Sequence, residues 1–171
     1  MGQTACAITD HGVMYGAIDF YRACKAEGIH PVIGCEVYVA ARTRFDKIHE
    51  YDAESRHLVL LCKNETGYRN LSYMVSQAFV EGFYIRPRID LDLLREHSEG
   101  LIALSACLAG EIPKRLLHGN YEGAKEYSLQ MQEIFGPDKF YMELQYDGIR
   151  EQAEVDRSLI RQTPHTGIPF V

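Results

Sequence analysis

The stretch Pro31-Val-Ile-Gly-Cys-Glu-Val-Tyr-Val39 is an apolar run rich in β-branched residues, and it predicts a buried β-strand. Two similar runs flank it along the chain. Ala5-Cys-Ala-Ile-Thr9 precedes it, and His57-Leu-Val-Leu-Leu-Cys62 follows it. Each run has the length of a strand, and the first and third are followed by segments with helical periodicity, so the chain begins as an alternation of strands and helices.

The rest of the chain continues this alternation. Further strands are predicted at Gly100–Ser105 and Phe140–Leu144, and Gly167–Val171 has the pattern of the start of a sixth strand. The segments Arg42–Arg56 and Phe83–Arg88 are predicted loops or connections. Helices are predicted at residues 14–28, 66–82 (with Thr66 as cap), 90–97, 110–117, 121–135 and 149–162, the last one stopped by Pro164. This order predicts one α/β domain with a mostly parallel sheet.

The composition is that of a globular domain, with 171 residues of which 46% are hydrophobic and 25% charged. No apolar run approaches the roughly 18–20 residues that cross a bilayer, and no signal segment opens the chain, so we expect a cytoplasmic protein without a membrane partner. Lys and Arg number 18 against 24 Asp and Glu, which disfavours tight nucleic-acid binding by this chain alone. The five cysteines form no CxxC pair and predict neither a disulfide framework nor a zinc ribbon.

Polar residues occur at the ends and inside these strands, where β/α proteins carry their sites. Asp10 and His11 end the first strand and place a carboxylate and an imidazole on a turn that suits a divalent metal. A helix cap is an equally good explanation for this pair. Glu36 lies inside the apolar second strand, where a carboxylate is costly unless it is paired or metal-bound. We therefore favour a ligand or a buried partner for Glu36 over a solvent-facing position.

Three more candidates lie on the later strands. His57 opens the third strand, Cys107 follows the fourth, and Glu143 lies within the fifth. Imidazole, carboxylate and thiolate groups together suit zinc, and imidazole with carboxylate also suits manganese. Ordinary packing stays open as the explanation of His57 and Cys107. A buried ion pair with an arginine stays open for Glu143.

Several segments, taken in order, resemble one known family. They are Ala7-Ile-Thr-Asp-His-Gly-Val-Met-Tyr-Gly16, Ile33-Gly-Cys-Glu-Val-Tyr-Val39, His57–Leu71, Phe79-Val-Glu-Gly-Phe-Tyr84, Pro87-Arg-Ile-Asp90 and Leu104-Ser-Ala-Cys-Leu-Ala-Gly-Glu-Ile-Pro113. The series covers nearly the whole chain and resembles the PHP (polymerase and histidinol phosphatase) domain in the form carried by bacterial replicative polymerases. The resemblance implies a distorted β/α barrel with a metal cluster at the C-terminal ends of its strands.

The resemblance also implies roles for individual residues. It makes His11, Glu36, His57 and Cys107 metal ligands, and it makes Asp10, His11 and Glu36 the catalytic residues. His57 is then unexpectedly placed, because it begins its strand whereas the site lies where strands end.

The family's opening His-x-His and closing Asp-x-His motifs do not occur in this chain. We therefore expect residues 1–171 to be a PHP domain truncated at both ends, with an incomplete barrel that lacks its first and last strands. Open sheet edges of this kind favour self-association. Because about half of the family's ligands are missing, the chain alone is expected to be inactive.

The implied function is that of part of a replicative DNA polymerase. The whole polymerase would bind DNA and other replisome subunits and use magnesium for polymerisation. Its PHP site, if complete, would hold zinc or manganese and remove 3′-terminal nucleotides. A free-standing phosphoesterase of the histidinol-phosphatase type and a non-catalytic structural module are the alternatives, and no nucleic-acid-binding residue is predicted.

Overall fold

The computed structural model describes residues 2–171 and alternates strands with helices, as predicted. In chain order the elements are β1 (Ala5–His11), α1 (Ala17–Ala26), β2 (His30–Ala40), α2 (His49–Asp52), β3 (Ser55–Cys62), α3 (Glu65–Val80), β4 (Arg88–Ile89), α4 (Leu91–His97), β5 (Leu101–Leu104), α5 (Glu111–Leu117), α6 (Tyr121–Phe135), β6 (Phe140–Tyr141) and α7 (Arg150–Thr166). Two of them, α2 and β4, lie where loops were predicted. None of the helices in the described residues is long and apolar enough to span a bilayer.

Six strands form one sheet in the order β1-β2-β3-β5-β6, with β4 paired to the last residues of β2. β1 is parallel to β2 and β5 is parallel to β6, whereas β3 is antiparallel to both β2 and β5. Every strand except β3 therefore points the same way, and the prediction of a mostly parallel sheet is confirmed with that one exception. Within residues 2–171 the sheet does not close on itself, and it is compatible with a PHP-type fold.

The last residues of the chain extend the sheet beyond β6. The N–H of Met142 donates to the carbonyl of Pro169 at 2.9 Å, and the N–H of Val171 donates to the carbonyl of Met142 at 2.9 Å. Met142 and Phe170 thus form a parallel bridge. This pairing agrees with the strand start predicted at Gly167–Val171.

Two helix ends differ from the prediction. α7 continues through Pro164 to Thr166, because a proline in the last turn removes a single donor and leaves the helical path intact. Gly167, at φ +68°, then ends the helix in the left-handed conformation. The cap of α3 is Asn64, whose side chain accepts a backbone hydrogen bond, and not Thr66.

One apolar core supports the sheet. α3 and α6 pack against the strands, and α4 contacts both of these helices. Burying a large aliphatic or aromatic side chain stabilises the fold by about 1.5–3 kcal/mol. The residues with the most completely buried large side chains include Leu60, Leu71, Met74, Ile89, Leu94, Leu101, Met131, Phe140 and Leu159. The core thus gives β2 and β3 a rigid backing.

Arg88 is fully buried and orders the segment that was predicted as a long loop. Its guanidinium donates to the backbone carbonyls of Arg44 (3.2 Å), Asp46 (2.8 Å), Asp52 (3.3 Å) and Gly82 (3.0 Å). A buried guanidinium is tolerated when its donors are paired, and here four of its N–H donors have backbone carbonyl partners. The segment between β2 and β3 is therefore held in place from inside the fold.

Candidate metal centre

The alternation of side chains along β2 and β3 places polar groups on the face of the sheet opposite to the core. Cys35 and Leu58 are buried in the core, so their neighbours Glu36 and His57 point to the other face. His11, at the end of β1, is the residue paired with Glu36 in the sheet register. The three predicted residues His11, Glu36 and His57 therefore come together on adjacent strands.

The direction of β3 accounts for the position of His57. Because β3 runs antiparallel to β2, His57 pairs with Tyr38 and Val59 pairs with Glu36. The beginning of β3 thus lies beside the end of β2, at the edge of the sheet where β1 also ends. A residue that opens β3 belongs to the same edge as residues that close β1 and β2.

The three side chains converge on one carboxylate oxygen. Nδ1 of His11 lies 3.0 Å from Oε1 of Glu36, and Nδ1 of His57 lies 2.5 Å from the same oxygen. One ligand atom from each residue lies within 4.8 Å of the others. The side chain of Glu36 is only 14% exposed whereas that of His11 is 65% exposed, so Glu36 forms the base of the cluster and His11 its mouth.

Cys107 reaches the same cluster from the turn after β5. Ala106, at φ +61°, turns the backbone sharply, and the N–H of Gly110 closes the turn on the carbonyl of Cys107 at 2.8 Å. The N–H of His57 donates to the carbonyl of Ala109 at 3.1 Å, which ties this turn to β3. Sγ of Cys107 consequently lies 3.6 Å from Nδ1 of His57.

The pKa values of these groups shift in directions that favour a protonated imidazole on His57 and ionised acids beside it. Contact with the Cys107 thiol and with Glu36 raises the pKa of His57 to about 9, against the effect of burial. Burial alone would raise the pKa of Glu36. The neighbouring imidazoles of His57 and His11 have the opposite and larger effect, so the pKa of Glu36 is lowered. The His57 contact also lowers the pKa of Cys107. The two acids are thus held towards their anionic forms beside a cationic centre.

The donor set fits a divalent metal. Two imidazole nitrogens, from His11 and His57, flank the buried Oε1 of Glu36. One proton on Nδ1 of His57 cannot satisfy both the carboxylate and the thiolate. A cation would be shared by all of them, and imidazole, carboxylate and thiolate are the ligands of zinc sites.

Asp10 lies apart from the converging groups. Its Oδ2 accepts a hydrogen bond from the backbone N–H of Gly16, at 3.2 Å, just before α1. The N-cap residue of α1 is Gly16, which has no side-chain cap, so Asp10 contacts the start of the helix without being its cap residue. A catalytic role for Asp10 stays a prediction.

Glu143 also lies outside the cluster. Its Oε1 accepts a hydrogen bond from Gln145 at 2.7 Å, and its backbone N–H donates to Oγ of Ser105 at 2.9 Å. Within residues 2–171 its buried Oε2 has no hydrogen-bond partner and no arginine lies within ion-pair distance. The arginine pair considered from the sequence does not form in the described residues.

Two residues beside the cluster were not predicted. The ring of Tyr38 contacts His57 edge-on, with centroids 5.2 Å apart, and the guanidinium of Arg86 lies 5.4 Å from the centroid of Tyr38. The sequence does carry a signal for Tyr38, because it follows Glu36 by two residues on a strand and so shares its face. Arg86 lies in a predicted connection and has no such signal.

The comparisons with known proteins agree with this geometry. The chain matches the PHP domain family over residues 1–147, and it belongs to that family. It is 47% identical to DNA polymerase III subunit alpha of Treponema pallidum over the full chain, and 46% identical to that of Borreliella burgdorferi over 96% of it. It is also 46% identical to DNA polymerase III subunit alpha of Thermus aquaticus over 91% of the chain.

The chain corresponds to only a small part of these relatives. It spans 15% of the length of the Treponema pallidum protein, 14% of the Borreliella burgdorferi protein and 13% of the Thermus aquaticus protein. The chain is therefore a PHP domain homologous to a segment of DNA polymerase III subunit alpha.

Proposed function

We propose that the chain is the PHP domain of a bacterial replicative polymerase subunit and that it holds a divalent metal through His11, Glu36 and His57, with Cys107 as a further ligand. The observation that carries the proposal is the convergence of two imidazole nitrogens on one buried carboxylate oxygen of Glu36. Carboxylate and imidazole fit zinc or manganese, and the Cys107 thiolate favours zinc.

The proposed activity is hydrolysis of a phosphoester at a nucleic-acid 3′ end. A divalent metal at the cluster would supply Lewis-acid activation of the phosphoryl group and of water. Glu36 anchors the base of the cluster, His57 is held by its contacts to Glu36 and Cys107, and His11 stands at the open mouth. A substrate would therefore approach from the side of His11.

The wider context of this proposal follows from the relatives. We propose that residues 1–171 are one truncated PHP domain, an incomplete barrel, within a larger polymerase that acts in the bacterial cytoplasm. DNA and other replisome subunits would be partners of that polymerase, whose polymerisation site would use magnesium. The open edges of the sheet offer this chain a route to self-association.

The test compares DNA ends with a small phosphate ester. Release of the 3′-terminal nucleotide from 5′-labelled single-stranded DNA and release of phosphate from p-nitrophenyl phosphate are measured with Zn²⁺ or Mn²⁺. The proteins are the 171-residue chain and a full-length polymerase subunit carrying it. The matched variants are Glu36→Gln, in the cluster, and His165→Ala, an exposed histidine on α7.

We expect metal-dependent release from DNA by the full-length subunit, lost in Glu36→Gln and kept in His165→Ala. Faster hydrolysis of p-nitrophenyl phosphate than of DNA would favour the free-standing phosphoesterase. Metal binding without hydrolysis of either substrate would favour the non-catalytic module. Hydrolysis that survives Glu36→Gln would refute the proposed site.

A further inference from the structure

The segment before β4 forms a strained turn beside the metal centre. The N–H of Arg86 donates to the carbonyl of Tyr84 at 2.6 Å, and the N–H of Tyr84 donates back to the carbonyl of Arg86 at 3.0 Å. The residue between them, Ile85, has φ +63°. A β-branched residue in this left-handed region is disfavoured, as is a tight γ-turn with positive φ at its centre. Strain of this kind is concentrated at functional sites.

The turn is packed directly against the metal centre. A Cβ atom placed on Gly12, the residue after His11, would lie 2.7 Å from Cε2 of Tyr38 and 3.1 Å from Cγ of Pro87. Gly12 therefore packs against Pro87, which follows the turn, and against the ring of Tyr38. One side of that ring contacts His57, and the guanidinium of Arg86 lies over the ring at 5.4 Å from its centroid.

The charge of Arg86 has no counter-ion in the described residues. Its side chain is exposed, and no carboxylate of residues 2–171 lies within 4.0 Å of it. The nearby arginines are occupied: Arg42 pairs with Asp52, and Arg44 pairs with Asp90. Arg86 is thus a cation held next to the cluster, by Tyr38 and by the turn, with its donors free for a ligand.

We propose that Arg86 binds a phosphate group of the substrate at the metal centre. The inference rests on the proposed function, because it names the residue that would hold the substrate's charge. A guanidinium offers paired N–H donors that match two oxygens of a phosphate, and such charge-assisted hydrogen bonds are strong. Arg86 would hold the phosphate from the Tyr38 side while the cluster meets it from the His11 side. Arg86 is therefore a substrate-binding residue that positions the phosphoester.

The test measures phosphate binding separately from metal binding. The probe is a fluorescein-labelled oligothymidylate, followed by fluorescence anisotropy with and without Mn²⁺, and its uncharged methylphosphonate analogue is the reference. Zn²⁺ affinity is measured in parallel by calorimetry. The variants of the 171-residue chain are Arg86→Ala, Arg86→Lys and Arg161→Ala, the last being an exposed arginine on α7 without an ion pair among the described residues.

We expect Arg86→Ala to weaken oligothymidylate binding by about tenfold, the effect of losing a charge-assisted hydrogen bond. Arg86→Lys should weaken oligothymidylate binding less, because lysine keeps the positive charge and lacks only the paired N–H donors. Arg161→Ala, methylphosphonate binding and Zn²⁺ affinity should not change. Unaltered oligothymidylate binding by Arg86→Ala, or no binding by the unsubstituted chain, would overturn the assignment.

The two proposals fail in different ways. If Zn²⁺ binds and Arg86→Ala binds the probe normally, the metal centre stands and the role of Arg86 falls. If Zn²⁺ does not bind but Arg86→Ala still weakens binding of the oligothymidylate, Arg86 is a phosphate-binding residue and the metal proposal is wrong.

Discussion

Gly12 packs against Tyr38 beside the proposed metal centre, and Gly12→Ala tests this packing. Gly12 has φ +69°, where an L-residue is disfavoured, and an added Cβ would lie 2.7 Å from the buried ring of Tyr38. The backbone conformation costs about 1–2 kcal/mol. Overpacking against a ring that cannot move freely adds about 1–3 kcal/mol. We therefore expect Gly12→Ala to lower the free energy of unfolding by about 2–5 kcal/mol.

Gly28→Ala is the matched control. Gly28 has nearly the same backbone angle, φ +70°, but a Cβ there would meet nothing within 4 Å. Gly28→Ala should therefore lower the free energy of unfolding only by the conformational cost of about 1–2 kcal/mol. Urea unfolding of both variants gives the two free energies, and their difference isolates the contact with Tyr38. Equal losses in the two variants would refute the close packing of Gly12 against Tyr38.

Gly12→Ala should also weaken metal binding at the proposed centre. Tyr38 contacts His57, so a methyl group on the backbone at position 12 that displaces the ring also displaces a proposed ligand. Zn²⁺ calorimetry should show weaker binding by Gly12→Ala and unchanged binding by Gly28→Ala. Equal affinity in both variants would contradict the link from Gly12 through Tyr38 to the cluster.

Further predictions concern the buried charges and thiols. Arg88→Met should make the segment between β2 and β3 more sensitive to proteolysis than it is in the unsubstituted chain, because its carbonyls lose their donors; unchanged cleavage there would contradict this. The hydrogen bond from Arg42 lowers the pKa of Asp52, so its stabilising effect is complete above about pH 4 and is lost as the pH falls through the lowered folded-state pKa. The gap in melting temperature between the unsubstituted chain and Asp52→Asn should shrink only in that acid range, and a gap that widens on acidification would refute the pairing. Burial raises the pKa of Cys62 to about 11, so iodoacetamide at pH 8 should modify it more slowly than exposed Cys6 by mass spectrometry, and equal rates would refute its burial.

Much of the fold followed from local pattern. Apolar runs, helical periodicity and caps predicted most elements, because short-range packing and backbone preference decide them. The direction of β3 could not be predicted, since an apolar run such as His57–Cys62 pairs equally well in either direction until its neighbours are fixed. β4 was missed because Arg88 occupies it, and only the tertiary carbonyl partners make a buried arginine stable there.

The sequence likewise predicts only some residues of the candidate site. Glu36 could be predicted because a carboxylate in an apolar strand needs a partner, and the structure brings two imidazoles to it. Cys107 was predictable as a candidate, but its contact with His57 depends on the sharp turn at Ala106. The position of Arg86 depends on packing between distant segments, which no local pattern encodes.

The most direct test of the central claim is an anomalous difference map from crystals of the chain grown with Zn²⁺. We predict a peak bonded to one nitrogen each of His11 and His57, to Oε1 of Glu36 and to Sγ of Cys107. The distances should be about 2.0–2.2 Å to nitrogen and oxygen and about 2.3 Å to sulfur. Zinc bound elsewhere, or no peak at the cluster in fully loaded crystals, would contradict the account.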